Sequence, residues 1–306
     1  MERRARADMA LAFCSLLWGT TFVVVRGALE HISVFLFLAV RFSLAALLMA
    51  LFRPSGLQNL KREELFAGFA LGFFMFGGYA FQTAGLQYTT PTKSGFVTGS
   101  SVVLVPLLLG IFWKRRVTRW IFGGTLAAVA GLYLLTVPGE GLSGLNHGDL
   151  LTLGAAGLYA VHIILAGDYT RRHSVAALSV LQVAACALLA WAATGAAAAT
   201  AWQPLRFVWR WDLAAAIGIC AVFATAIAFS LQLWAQQYTS SSHAAIIFTL
   251  EPVFAMVASY LVIGERLSGR SMVGAIFVLA GILIAELLGP AAAPESPEPM
   301  TDRLQG

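Results

Sequence analysis

Ten stretches of this chain run for about 20 residues with almost no charge, the length a helix needs to cross the hydrocarbon of a bilayer. They fall at roughly 9–27, 33–52, 65–87, 93–113, 117–136, 149–167, 175–197, 212–234, 243–263 and 269–289. In hydrocarbon no water completes an unpaired N–H or C=O, so each stretch has to satisfy its backbone internally, as a helix does. The chain carries 11% charged residues, against about 25% in soluble domains, and a mean hydropathy of +0.78. The sequence therefore predicts an all-α polytopic membrane protein with ten transmembrane helices. The basic start, Met1-Glu-Arg-Arg-Ala-Arg, is what a signal peptide begins with. The apolar run behind it continues to about Val25, carries Trp18, Thr20 and Thr21, and ends with no A-x-A cleavage site between it and Arg26, so it is read as the first span.

Composition and motifs also remove function classes. The formal charge of +5 is scattered over one to three basic residues at a time between apolar spans, without the patch or stripe that nucleic acid needs. Cys14, Cys186 and Cys220 each lie within an apolar run at no metal-like spacing, so they read as small core residues. No Walker A loop, G-x-S-x-G, H-E-x-x-H or C-x-x-C is present. The sequence thus predicts no cofactor, no metal, no nucleic-acid partner and no enzyme chemistry.

Lysine and arginine set the expected orientation. With the N-terminus in the cytoplasm, the inner segments hold Arg3, Arg4, Arg6, Arg53, Lys61, Arg62, Lys114, Arg115, Arg116, Arg119, Arg171, Arg172 and Arg303. The outer loops then hold only Lys93, Arg206, Arg210, Arg266 and Arg270. Both termini are expected in the cytoplasm, with the chain in the cell's inner membrane.

The sequence repeats itself. A shift of 150 aligns Gly68 with Gly218, Gln82 with Gln232, Gln87-Tyr88-Thr89 with Gln237-Tyr238-Thr239, Gly124 with Gly274, and Ala130-Gly131 with Ala280-Gly281. For the front of each half a shift of 141 sets Trp18 on Tyr159, Thr21 on His162 and Arg41 on Gln182. The expected organisation is a first five-helix repeat over 1–137, a Gly- and Pro-rich linker over 138–148, a second five-helix repeat over 149–289 and a Pro-rich disordered tail over 290–306. Five spans is an odd number, so the two copies insert in opposite senses and form two inverted five-helix repeats. Glycines at helical spacing, Gly68 with Gly72, Gly123-Gly124 with Gly131, and Gly274 with Gly281, predict faces of close helix approach.

Within this frame, Trp18-Gly19-Thr20 in the first span, Arg41-Phe42 in the second, Leu250-Glu251-Pro252-Val253 in the ninth and Gly264-Glu265-Arg266-Leu267 after it resemble the drug/metabolite transporter superfamily in its EamA-type branch. The resemblance covers about residues 8–288. It implies a helix bundle with a cavity between the halves and export of small metabolites, amino acids or drugs. The first half departs from the pattern, with Ser101 where Glu251 stands in the second copy and Arg115 where Glu265 stands.

Polar residues inside spans are the candidates for that cavity. Glu251 is a carboxylate at membrane depth beside Pro252, which has no N–H for the carbonyl of Phe248 and predicts a kink there. It fits either a substrate or proton site or a structural carboxylate. Arg41 fits substrate contact, snorkelling to an interface or support of a helix end. Tyr159 and His162, three apart, share a helix face. Gln82 and Gln232, each one turn beyond an aromatic, Tyr79 and Phe229, are placed near a pseudo-twofold axis, or in an interhelical hydrogen bond. Trp18 and Trp234 are cavity walls or interfacial anchors, and Glu265 is a loop-fixing residue. The expected substrate-binding or cavity set is Trp18, Thr21, Arg41, Tyr79, Gln82, Tyr159, His162, Phe229, Gln232 and Glu251. The expected activity is a secondary transporter or facilitator exporting small molecules, with import or exchange, a lipid-modifying enzyme or a non-transporting scaffold as alternatives. The small-molecule substrate and the bilayer are the expected partners, and the reading leaves room for a homodimer.

Overall fold

A computed structural model describes residues 2–52, 57–112, 119–136, 146–200, 204–266 and 268–288. Among them the chain is helical throughout: α1 (Glu2–Ala28), α2 (Val34–Phe52), α3 (Arg62–Gly85), α4 (Pro91–Gly99), α5 (Ser101–Phe112), α6 (Arg119–Thr136), α7 (His147–Tyr169), α8 (Val175–Ala199), α9 (Trp211–Ala221), α10 (Ala228–Gln236), α11 (Ser241–Ile247), α12 (Leu250–Ile263) and α13 (Gly269–Leu287). One widened turn, Val222–Ile227, joins α9 to α10. The only extended pairing among the described residues is a single bridge between Ile32 and Phe207. Most of the expected linker, the tail, Arg53, Lys114, Arg115, Arg116, Leu267 and Arg303 lie outside the described residues.

Eight helical runs are long and apolar enough to cross a membrane, so the chain is a multi-pass membrane protein. They are Arg3–Ala28, Val34–Phe52, Arg62–Gly85, Pro91–Phe112, His147–Tyr169, Val175–Ala199, Trp211–Gln236 and Ser241–Ile263. The other two expected spans correspond to α6 and to α13, whose apolar part is the shorter Gly269–Gly281.

Helix starts are legible in local chemistry. Thr90 accepts from the Lys93 N–H with Pro91 at the first helical position, and Asn146 accepts from the Asp149 N–H. Ser174 and Ser268 cap α8 and α13 in the same way. The end of α12 is set by Gly264, whose φ of +68° is a left-handed conformation that suits glycine.

Outer faces carry the apolar bulk that a bilayer solvates, for example Phe66, Phe69 and Phe73 on α3 and Leu261 and Val262 on α12. Inner faces use small residues, because apolar lipid gives helices no hydrophobic reason to associate and close packing has to supply the attraction. A Cβ on Gly72 of α3 would meet Gln182 O and the Ala185 Cβ of α8 at 2.6 Å, and one on Gly131 of α6 would meet Val278 N of α13 at 2.5 Å. Gly123 departs from the expected close-approach face: nothing lies within 4 Å of where its Cβ would be. It sits on the exposed side of α6.

Three contacts fix which helix ends meet. Arg26, near the end of α1, donates from Nη1 to Leu86 O at 2.6 Å, just past α3. Gly85 at the end of α3 packs on Gly148 at the start of α7, where a Cβ on either would meet the other's carbonyl oxygen within 2.7 Å. At the other end of α7, Gln237 Nε2 donates to Thr170 O at 3.1 Å.

Candidate functional site

A cavity of about 770 Å³, its open part included, lies in the middle of the bundle. All ten residues expected from the sequence line it, drawn from α1, α2, α3, α7, α10 and α12. Thr98 of α4 and Phe248, between α11 and α12, line it as well and were not singled out in the sequence.

Its wall is an aromatic row. Trp18 meets Phe229 at 5.3 Å between ring centroids, Phe229 meets Tyr79 at 6.1 Å and Tyr79 meets Tyr159 at 5.6 Å. Trp18 and Tyr159 are equivalent under the 141-residue shift, and Phe229 and Tyr79 under the 150-residue shift, so the outer two pairs match each other. Each pairs an aromatic from one copy with one from the other. Tilted and edge-to-face pairs of this kind contribute about 0.5–1.5 kcal/mol beyond their burial.

Arg41 is 2% exposed, so it does not snorkel to an interface. Its Nε donates to Thr225 Oγ1 at 2.9 Å and its Nη2 to the Tyr79 hydroxyl at 3.4 Å. The guanidinium lies 4.7 Å from the Tyr79 ring centroid and 5.1 Å from that of Phe42. Among the described residues no carboxylate pairs with it. Thr225 reaches Arg41 because the helix widens there: its hydroxyl donates to Cys220 O, five residues back, at 2.8 Å. The same widened turn leaves Ala224 O to accept from Trp18 Nε1 at 2.9 Å. Such single wide turns recur at functional sites. A threonine in an apolar run was the one mark of Thr225 in the sequence, and the wide turn has no sequence signature.

The two glutamines differ. Gln82 is engaged at both its oxygen and its nitrogen, accepting from the Tyr159 hydroxyl at 3.1 Å and donating to Thr98 Oγ1 at 3.0 Å. Gln232 is 1% exposed, and its Oε1 has no hydrogen-bond partner among the described residues. His162 contacts Gln182 Oε1 through Nε2 at 2.9 Å, while Thr21 turns its hydroxyl back to Trp18 O at 2.8 Å.

Glu251 lies in the first turn of α12, just after a break in the ninth span. The Phe248 carbonyl that Pro252 cannot serve accepts from the Glu251 N–H at 3.0 Å, so the break is closed by a tighter turn. Gly19 lets α1 come against this turn: a Cβ there would sit 2.5 Å from Glu251 O and 2.7 Å from Phe254 Cβ. The Glu251 side chain lines the cavity, and no hydrogen bond or ion pair to its carboxylate is formed among the described residues. Glu265 behaves as a fixing residue, though not toward Arg266 or Arg270. It accepts from Ser259 Oγ and from Thr92 Oγ1 at 2.9 Å, tying the end of α12 to the start of α4.

A sequence model described as the EamA-like transporter family matches residues 5–137 and again residues 146–287. The chain belongs to the EamA-like transporter family. An uncharacterized transporter of Archaeoglobus fulgidus is 36% identical over 93% of this chain and 87% of its own length. The threonine/homoserine exporter RhtA is 27% identical in Salmonella typhimurium, over 79% of this chain and 78% of RhtA. A solved crystal structure shares the fold at a TM-score of 0.68 and 18% identity, covering 93% of this chain and 97% of that one. This EamA-like protein is therefore a membrane transporter and not an enzyme, and it works on small molecules within a lipid bilayer.

Proposed function

We propose that the protein is a secondary transporter of the inner membrane that exports small amphipathic metabolites, amino acids among them, through the cavity between two inverted five-helix repeats. The observation that carries this reading is that one cavity holds a buried guanidinium, Arg41, and a carboxylate, Glu251, with no ion pair formed between them. A buried cation without a carboxylate is costly in a membrane interior. Here the Tyr79 and Phe42 faces offset part of that cost, by about 2 kcal/mol for a desolvated cation–π contact. A substrate with an anionic group supplies the rest when bound, and its apolar part lies against the aromatic row. That the RhtA relatives are named as exporters of threonine and homoserine supports both the class and the direction.

The repeat arrangement is supported by the helix ends. The end of α1 and the start of α7, equivalent elements of the two copies, both meet the end of α3, so α1 and α7 run in opposite senses. The basic residues of the inner segments favour both termini in the cytoplasm and ten spans, with α6 and α13 as the fifth and tenth. One chain encloses the cavity, so a homodimer is not needed for it.

Counterflow in proteoliposomes tests the proposal. Vesicles preloaded with unlabelled threonine or homoserine, or another hit from a thermal-shift screen, are expected to accumulate the labelled compound, and Arg41→Met to abolish it. Flux in no assay, or flux untouched by Arg41→Met, would overturn it.

A further inference from the structure

The first helix of each copy carries an aspartate near its start, Asp8 on α1 and Asp149 on α7, and the two coincide under the 141-residue shift. The fourth span of each copy carries a base near its start, Lys93 on α4 and His243 on α11, and these coincide under the 150-residue shift. Their helix starts match too. Lys93 N donates to Thr90 Oγ1 at 3.3 Å and His243 N donates to Ser240 Oγ at 3.1 Å. The pairs are crossed: Lys93 of the first copy meets Asp149 of the second at 2.7 Å, and His243 of the second meets Asp8 of the first at 3.2 Å.

These contacts sit at opposite ends of the bundle. Asp149 lies beside the end of α3, which is also where Arg26 docks. Asp8 is eighteen residues before Arg26 on the same helix, about 27 Å at the α-helical rise. The cavity lies between them, with Trp18 ten residues from Asp8 and Tyr159 ten residues from Asp149, each about 15 Å along its helix.

The two contacts are not equally made. At Asp149, Thr89 donates to Oδ1 at 2.8 Å, Lys93 Nζ donates to Oδ2, and Asn146 Nδ2 donates to Tyr88 O at 2.9 Å. Only 3% of the Asp149 side chain is exposed. At Asp8, 32% exposed, His243 Nε2 stands 3.2 Å from Oδ1 as an ion pair, and that Oδ1 accepts no hydrogen bond among the described residues. Thr239, the counterpart of Thr89, leaves its buried hydroxyl unpartnered among the described residues. The donor that closes the Asp149 end is thus present at the Asp8 end and unused.

We propose that Asp149–Lys93 and Asp8–His243 are a pair of latches, one at each mouth of the cavity, that open alternately, and that this structure has the Asp149 latch closed and the Asp8 latch partly released. The proposal rests on the inverted-repeat transporter reading above. Each latch ties the first helix of one copy to the fourth span of the other, so rocking the copies about the cavity strains one as it relaxes the other. Full closure at Asp8 brings Thr239 Oγ1 onto its carboxylate, as Thr89 already lies on Asp149.

Thiol labelling from the two faces tests this. With Cys14, Cys186 and Cys220 replaced, a reporter cysteine is placed in the cavity wall at Thr83 or Ile163, and right-side-out and inside-out vesicles are treated with a membrane-impermeant maleimide. Lys93→Gln is expected to raise labelling several-fold from one face only. Asp8→Asn is expected to raise it from the opposite face only, by a smaller factor, because that latch is already loose. Enhancement from the same face in both variants, or in neither, would overturn the latches. Should either variant fold poorly, cysteine pairs at 93/149 and at 8/243 are bridged with a cleavable bis-thiol linker: each bridge is expected to stop substrate exchange until it is cleaved. Continued exchange with either pair bridged would also overturn them. Absence of flux from the unmodified protein would instead count against the transport reading, while the labelling pattern would still decide the latches.

Discussion

The break between α4 and α5 in the first copy and the break between α11 and α12 in the second fall at the same register, near Ser100 and Thr249, yet they are made by different chemistry. In the second, Pro252 removes a donor and Phe248 O turns to the Glu251 N–H. In the first there is no proline at the matching point. Ser100 instead sends its hydroxyl to Val97 O at 2.7 Å, competing with the backbone ladder, and its own N–H bonds the same carbonyl at 3.1 Å. A break that survives the exchange of its cause belongs to the shared architecture. The chemistry mounted on it is free to differ: Ser101 follows the break in one copy and Glu251 in the other. The cation is placed with the same asymmetry, Arg41 in the first copy against Gln182, bonded to His162, in the second. One copy supplies the positive group and the other the carboxylate.

The largest effect is expected from erasing that asymmetry at the cation. Arg41→Gln makes the two copies alike at this position and removes the guanidinium donor from the Tyr79 hydroxyl and from Thr225 Oγ1, which keeps its bond to Cys220 O. Truncating one partner of a buried charged contact costs at least about 2 kcal/mol, or roughly thirtyfold in exchange rate. Equal-pH exchange in vesicles, corrected for folded protein, measures it. A loss no greater than twofold would mean that the charge serves packing alone.

Next comes the helix crossing beneath each break. Gly19 faces the backbone of α12 where the second copy has Ala160, which is fully buried against its own neighbours. Gly19→Ala drives a methyl into a main-chain oxygen that cannot rotate away, at a cost of about 1–3 kcal/mol. Ala160→Gly loses only packing and helix propensity, about 1 kcal/mol. Melting in detergent is expected to fall further for Gly19→Ala. The reverse order would show that the two crossings are not built as described.

How far these features could be read in advance depends on what kind of signal carries them. Trp18, Arg41, Gln82, His162 and Glu251 stand out because a polar or amphipathic side chain inside an apolar run needs a reason, and the repeat register then brings their faces together. Thr225 did not stand out, since its role depends on a widened turn that no residue pattern announces. The crossed pairs at Asp8 and Asp149 were also hidden: each acid lies at a span end, where charge is ordinary, and only the three-dimensional meeting with His243 and Lys93 gives it meaning. The span edges of 93–113 and 243–263 were legible, whereas the break near Ser100 was not, because serine inside a helix is usually tolerated.

A third prediction concerns the carboxylate that only the second copy carries. Glu251→Gln keeps size and one acceptor but cannot load and release a proton. If Glu251 couples proton and substrate movement, flux driven by a pH gradient falls about tenfold, a loss of ~1.4 kcal/mol of driving interaction. Exchange at equal pH, which needs no net proton movement, stays near the unmodified rate. Equal losses in both modes, or none in either, would remove Glu251 from coupling and leave it structural.

The smallest effect is expected at Glu265, a third position where the copies differ in charge. Its carboxylate receives Ser259 and Thr92, so it staples the end of α12 to the start of α4 on the face where Lys93 meets Asp149. It does not line the cavity. Hydrogen bonds to a charged acceptor contribute about 1.5–3 kcal/mol and neutral ones about 0.5–1.5. Glu265→Gln, which keeps a carbonyl for the two hydroxyls, should therefore cost only about 1 kcal/mol. The expected result is a small drop in melting temperature with equal-pH exchange unchanged, and a larger drop for Glu265→Ala, which leaves both hydroxyls without an acceptor. A loss of exchange comparable to that of Arg41→Gln, with stability unchanged, would make Glu265 part of the transport chemistry and would move the asymmetry between the copies from the cavity to its rim.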